Sequence, residues 1–403
     1  MAKVRWWLAA GVMGAALVGG CAPQPSGPIG PGPDYDRPLP PGSLALRRVT
    51  DSAAIPDFSR AAQSQGLRDA VARSLNYLAK PSSQQHFPYG TITHARAVAS
   101  LKAMDELLAA GLTGEQLNAE LRRKFEVYTS VGWNGRGAVL FTGYYTPIFE
   151  ASLERTDRFR YPLYRPPDGL VKGPDGEILG IRLVGGQIVE VPARADLGGS
   201  GLLVGRELVW LADPFEAYIA HVQGSARLRL PDGSGMTVGY AASNGQPYKS
   251  IAKALVDDGR IDAERMSLAA MIEYFRRHPG QINVYVDRNP RFIFFEPSDG
   301  APRGSLNEPV TPMRTIATDK AVYPRACLAF FQASLPTAVG GRIVPLPYDG
   351  FALDQDAGGA IRAPGRCDIY MGVGDEAGQR AGRTQTEGRL YYLFLKPEYM
   401  PAR

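Results

Sequence analysis

Two aspartates near the C-terminus, Asp356 and Asp368, frame a segment suited to folding back on itself. The stretch "DQDAGGAIRAPGRCDIYMGVGDEAG" sets Gly358, Gly359, Pro364 and Gly365 between them, and these residue types favour turns. Two carboxyl groups drawn together in this way suit general acid/base work on a glycosidic bond. Asp368 precedes a strand-like Ile369-Tyr370-Met371; no histidine lies in this stretch and no lysine follows until Lys396. Chemistry at Asp368 would fall to one acid with few helpers. The plainer alternative is a strand-end aspartate paired with Arg366. A second candidate is "FTGYYTP", residues 141–147. Adjacent tyrosines on a strand point to opposite faces, so one of Tyr144 and Tyr145 packs inward while the other can stack on a sugar ring. Gly143 permits close approach of a polymer.

The elements that must hold these residues change character along the chain. "THARAVASLKAMDELLAAGL" sets Val98, Leu101, Met104 and Leu108 on one helical face. Thr113 and Gln116 fit a capping box for a following helix, "EQLNAELRRKFEVY", with Leu117, Leu121 and Phe125 on its stripe. Strand patterns begin near Ala138 with "AVLFTGYYTPIF" and continue in two hairpin candidates. "GIRLVGGQIVEV" turns at Gly185-Gly186, and "ARLRLPDGSGMTVGYAA" turns at Asp232-Gly233. Helices return in "SIAKALVDDG" and "DAERMSLAAMIEYFRRH", and strands again in "NVYV", "RFIFFE", "RIVPLP", "DIYMGV" and "RLYYLFLK". The order predicts a mainly β protein with helices: a barrel domain built from both chain ends, interrupted by a smaller β domain, with a groove between them fit for a polymer.

The 403 residues allow one large or two ordinary domains, and 44% are hydrophobic, enough to bury a core. Gly (46) and Pro (33) make up about a fifth of the chain, which points to turns and short strands rather than a helical bundle. The formal charge of +5 falls to +3 without Lys3 and Arg5. That surplus is too small, and too evenly spread, to predict a nucleic-acid partner. The four histidines are scattered and no CxxC occurs, so no metal and no cofactor is expected. Cys327 and Cys367 could pair in an oxidising compartment, which the sequence leaves open.

The opening "MAKVRWWLAAGVMGAALVGGCAPQ" has a basic start, an apolar run too short to span a bilayer comfortably, and Gly19-Gly20 before Cys21. It reads as a lipoprotein signal over 1–20, with Cys21 as the lipid attachment residue; a plain secretory signal is the alternative. Residues 21–45 are rich in Pro and Gly and read as a tether. Ala22 is not the aspartate that retains such proteins at the inner membrane. The expected location is therefore the outer membrane, facing the periplasm of a Gram-negative cell.

Several separate stretches then resemble one family in its order: "GYYTP", "YPLYRPP", "WLADPFEAYIAHVQGSARLRLPDGS", "GYAASNGQPYKSIAKAL", "NPRFIFFE" and the C-terminal "DQDAGGAIRAPGRCDIYMGVGDEAGQRAG". Together they resemble the membrane-bound lytic murein transglycosylase A family over about 130–397, the last stretch being similar to its three-aspartate "3D" module. The resemblance implies a double-psi β-barrel domain (46–148 and 241–403, the module at about 310–390), an inserted β domain (149–240) and a groove between them. It implies cleavage of the β-1,4 bond between N-acetylmuramic acid and N-acetylglucosamine in peptidoglycan, forming 1,6-anhydromuramoyl ends with no water consumed. It implies a single catalytic aspartate in the "DIY" tripeptide, here Asp368, with Asp356 supporting the site. Thr142, Gly143, Tyr144 and Tyr145 would then line the groove, and Ser243, Asn244 and Gln246 would contact glycan. The expected partners are peptidoglycan strands, outer-membrane lipid through Cys21, and cell-wall synthesis or division proteins of unknown identity. Rival readings are a two-carboxylate hydrolase and a peptidoglycan-binding lipoprotein without activity.

Overall fold

The computed structural model describes residues 32–61, 66–173, 177–298 and 300–401, and from Asp34 onward the chain forms one unit. The expected signal and Cys21 lie outside the described residues. Among the described residues no helix is long and apolar enough to cross a membrane.

The chain opens with β1 (Leu46–Arg48), α1 (Leu67–Ala79), α2 (His94–Ala109), α3 (Gly114–Lys124), β2 (Phe125–Ser130) and β3 (Val139–Thr146). A second section follows: β4 (Ile148–Ser152), β5 (Tyr161–Tyr164), β6 (Leu170–Lys172), β7 (Ile178–Arg182), β8 (Ile188–Val189), α4 (Arg194–Leu197), β9 (Glu207–Leu211), α5 (Pro214–Gln223), β10 (Ser225–Arg229), β11 (Gly235–Ser243), α6 (Ile251–Asp257), α7 (Leu268–Arg277), α8 (Ile282–Val286) and β12 (Ile293–Ser298). The last section holds β13 (Thr315–Ala317), β14 (Leu328–Val339), β15 (Arg342–Asp356), β16 (Arg366–Val373), α9 (Asp375–Ala381) and β17 (Gln385–Leu395).

Strands β17, β14, β15, β13, β16 and β3 pair in that order, and β3 pairs back to β17. Six strands thus close a barrel of mixed parallel and antiparallel pairings, with β2 and β1 added outside β17. Closure leaves these strands no free edge. The core of the barrel joins Phe141, Phe330, Phe331, Ile369 and Leu393 to Leu101, Met104, Leu117 and Leu121 of the early helices.

The second section forms a six-stranded sheet, β12-β11-β10-β4-β9-β5, with its own core of Leu163, Val209, Leu228, Val238 and Phe295 under α5 to α8. Its strands run from Ile148 to Ser298, beyond the 149–240 expected, because β12 returns to pair with β11. The small sheet β6-β7-β8 contains the first predicted hairpin, and β10-β11 is the second.

Local expectations fail where tertiary pairing outweighs pattern. Thr113 caps α3 by position, but its side chain makes no capping hydrogen bond. That helix stops at Lys124 because "FEVYTS" pairs with β17 as a strand. "NVYV" is helical, not extended: Ile282, Tyr285 and Val286 lie at i, i+3 and i+4 and bury together in the second core. The presumed tether is already docked at Tyr35, which meets Trp133 edge-on at 5.9 Å and donates its hydroxyl to Glu387 at 3.0 Å.

Candidate active site

Strands β3, β16, β13 and β15 lie side by side, and their register sets one row of residues across them. Thr142 faces Asp368, Asp368 faces Ala317, and Ala317 faces Asp356. The two acids therefore sit on strands separated only by β13. Alternation along β3 and β16 sends Phe141, Tyr145, Cys367, Ile369 and Met371 into the apolar core. The intervening positions, Thr142 and Tyr144 beside Asp368 and Tyr370, form the opposite face.

The two carboxyl groups have different surroundings. Asp356 Oδ2 accepts from the Tyr144 hydroxyl at 2.7 Å, and its Oδ1 accepts from the backbone N–H groups of Ser305 and Ala357, each at 2.8 Å. Burial pushes its carboxyl upward while these donors and the Lys320 ammonium pull it down. Asp368 Oδ1 is shut off from solvent and has no hydrogen-bond partner. The Asp368 residue as a whole is partly exposed, although this oxygen is not. Desolvation raises its pKa to about 6; the Thr142 hydroxyl and the Arg366 charge oppose this, and Asp356 adds to it. The Thr142 hydroxyl lies close enough to act as a dipole, yet makes no well-formed hydrogen bond of its own. An acid with a raised pKa and a free oxygen is equipped to hand over a proton. Its neighbour, held by three donors, is not.

The alternative, an ion pair between Asp368 and Arg366, does not form. Arg366 Nη1 donates to Ala360 O at 2.7 Å and stands 4.0 Å from Asp36. Tyr144 stacks obliquely on Tyr370, ring centroids 5.2 Å apart, and so presents its hydroxyl to Asp356. Tyr145 does not line the site: it is 7% exposed and its ring lies against Gly378 of α9. Gly143 stands where a Cβ would come within 2.8 Å of Ala381 Cα and 3.0 Å of Met371 Cε. Its place is thus close packing of β3 against α9 and β16. Gly143→Ala is expected to cost about 1–3 kcal/mol by overpacking, read as a lower midpoint in urea unfolding.

The "SNGQ" turn lies at the end of β11, joined to the Asp356–Asp368 loop through Arg291, which donates to Gln246 O and packs on Gly359. Asn244 is 1% exposed and donates to Pro192 O and Pro290 O at 2.9 and 2.8 Å while accepting from Phe292 N–H at 2.8 Å. A side chain so fully engaged joins three backbone segments and is not free to hold a glycan. Ser243 is buried and accepts from Gly245 N–H at 3.2 Å. Gln246 is partly exposed and donates to Glu190 Oε1 at 2.8 Å and Val191 O at 3.1 Å. A cavity of about 520 Å³ on the second sheet is lined by Arg165, Asp168, Lys172 and Arg206 among others, and by none of the candidate residues.

Beneath the site, Asp354 is fully buried and ion-paired to Lys320; it accepts from Thr318 Oγ1 at 2.7 Å and the Tyr392 hydroxyl at 2.6 Å. Cys327 and Cys367 are both free, buried thiols, and burial pushes both upward. The described residues contain no cluster able to hold a metal ion. Neither Ser305, which holds Asp356, nor Lys320 is marked by local pattern in the sequence, because each acts on an acid brought to it only by barrel closure.

Comparison with known proteins places this barrel and its inserted sheet. Residues 140–296 match the MltA specific insert domain and residues 314–394 the 3D domain. The membrane-bound lytic murein transglycosylase A of Escherichia coli K12 is 30% identical over 305 residues, covering 73% of this chain and 75% of that protein. Its Vibrio cholerae counterpart is 30% identical over 278 residues, covering 66% and 68%. The crystal structure of a membrane-bound lytic murein transglycosylase from Agrobacterium tumefaciens superposes with a TM-score of 0.73 at 28% identity, covering 87% of this chain and 98% of that one. E. coli MltA with bound chitohexaose superposes at 0.64 and 26% identity, covering 91% and 97%. The chain belongs to the membrane-bound lytic murein transglycosylase A family.

Proposed function

We propose that this protein is a lytic transglycosylase that cleaves the β-1,4 bond between N-acetylmuramic acid and N-acetylglucosamine, with Asp368 as sole acid and base. The observation that carries this is the shielded, unpartnered Oδ1 of Asp368, set beside Thr142 and one strand from Asp356 on the barrel. Membership of the family and the sugar chain bound by the E. coli relative support it. Protonated Asp368 gives its proton to the glycosidic oxygen as the C1–O bond breaks, and the N-acetylglucosamine end leaves as an alcohol. The C6 hydroxyl of the same muramic residue attacks C1, and the Asp368 carboxylate takes that hydroxyl's proton. The acid is restored, and a 1,6-anhydro ring replaces the product of water. Intramolecular attack gains from proximity, so no second carboxylate is needed to activate a nucleophile. Asp356 shapes and charges the site, anchored by Tyr144 and Ser305. The family's membrane attachment, together with the leader, supports anchoring through lipid on Cys21, with the body facing periplasmic peptidoglycan.

Incubation with purified sacculi, followed by mass spectrometry of the released muropeptides, tests the reaction. Anhydro-muramoyl ends are expected; reducing ends would establish hydrolysis, and no release would leave only binding. Asp356→Asn is expected to retain measurable turnover, about 10–100-fold below wild type, since it removes a supporting charge rather than the proton donor. Loss as complete as for Asp368→Asn, in a folded protein, would favour the two-carboxylate hydrolase.

A further inference from the structure

The loop that joins Asp356 to Asp368 is held by arginines from both halves of the molecule. Arg291, just ahead of β12, lies so close to Gly359 that a Cβ there would meet its Nε at 2.9 Å, and its Nη1 donates to Gln246 O at 3.3 Å. Arg366, at the start of β16, donates to Ala360 O, while its Nε is buried without a partner. Arg362 is exposed on the loop between them, and its charge helps push the Arg291 guanidinium below its ordinary range, after burial. Among the described residues, neither Arg291 nor Arg362 has an ion-pair partner; Arg366 has only the largely exposed Asp36, at 4.0 Å. Asp319, the nearby carboxylate on the barrel side, accepts from Ala363 N–H through Oδ2 at 2.8 Å and from Ala321 N–H through Oδ1 at 3.0 Å.

Three guanidinium groups around one short loop repel each other, and burial of Arg291 removes part of the water that would screen it. The arrangement calls for an anion. Arginine forks match carboxylates in shape as well as charge. A glycan of N-acetylated sugars is itself neutral; the negative charge of peptidoglycan is on the carboxylates of the peptide stem hung from the lactyl group of each muramic residue. We propose that Arg291, Arg362 and Arg366 form a carboxylate subsite that holds the peptide stem of the muramic residue beside Asp368. The inference rests on the transglycosylase reading and deepens it. Only every second sugar carries a stem, so a stem fixed here selects which linkage lies across the acid. A carboxylate on Arg366 also screens the charge that otherwise draws Asp368 toward ionisation.

The test is binding, so that it does not depend on turnover. Soluble glycan strands with native stems are compared with the same strands whose carboxyl groups have been converted to amides with carbodiimide and ammonia. Affinity is measured on Asp368→Asn protein, which cannot consume them. Native strands are expected to bind about tenfold more tightly, the share of a charge-assisted contact. Arg362→Gln, at an exposed position, and Arg291→Lys, which keeps charge but not the fork, should each shrink that ratio toward one. Equal affinity for both strands, or an undiminished ratio in Arg362→Gln, would overturn the subsite. Absence of anhydro products from wild type on sacculi would instead overturn the reaction itself, a result read in a separate assay.

Discussion

Replacing Asp368 by asparagine is expected to abolish formation of anhydro ends on sacculi while leaving the fold intact. A positioned acid or base contributes about 10²–10⁴-fold, and here one carboxyl serves both steps, so the loss should approach the upper end. The same side chain sets the pH response. Its pKa is raised to about 6, and it must start protonated, so kcat/KM should fall as pH rises past about 6. Asp356→Asn removes a like charge that adds to the upward shift, so the falling limb should move to lower pH. Stability carries the matching sign. The folded protein binds the Asp368 proton more tightly than an unfolded chain with the ordinary value of 3.8. That contribution is complete below about pH 3.8 and is lost as pH rises through about 6. Asparagine has no such dependence. Asp368→Asn should therefore gain on wild type in melts at pH 7.5, by at most about 3 kcal/mol, and the advantage should vanish near pH 4. A variant that is less stable than wild type at pH 7.5 would show that the carboxyl is not held against its preference.

The second large effect concerns stability alone. Lys320→Met should destabilise the barrel by about 3–5 kcal/mol in urea unfolding, because it strips the fully buried Asp354 carboxyl of its ion-pair partner, with only the Thr318 and Tyr392 hydroxyls left for company. The double variant Lys320→Met with Asp354→Leu should recover much of that loss, since a buried pair replaced by apolar groups of similar size is often neutral. Equal losses in the single and double variants would mean that the pair is not an energetic unit.

The candidate acid stood out in the sequence; its setting was legible only in part. Asp368 stood out because its "DIY" context joined a strand to a glycine-rich turn, and the same alternation foretold that Tyr144 and Tyr145 would part company. Which one faced inward depended on α9, whose Gly378 receives the Tyr145 ring. The "SNGQ" turn looked like a polar ligand contact, whereas Asn244 proved to satisfy backbone groups of segments distant in sequence. Polar residues in a turn look alike in sequence whether their partners are solvent, ligand or buried carbonyls. The barrel domain was foreseeable from strands at both ends of the chain, but the reach of the inserted sheet to Ser298 was not, since β12 joins it by a pairing that no local pattern encodes.

Because β3 from the early chain is clasped between β16 and β17 from its end, the molecule is a lock whose key is cut last. A polypeptide that has not yet delivered those final strands cannot set Asp368 against Thr142. Long-range pairing of this kind is slow. Under the proposed mechanism, a copy clipped ahead of β16 is therefore expected to be inert, so that an enzyme able to breach a cell wall would arm itself only on completion.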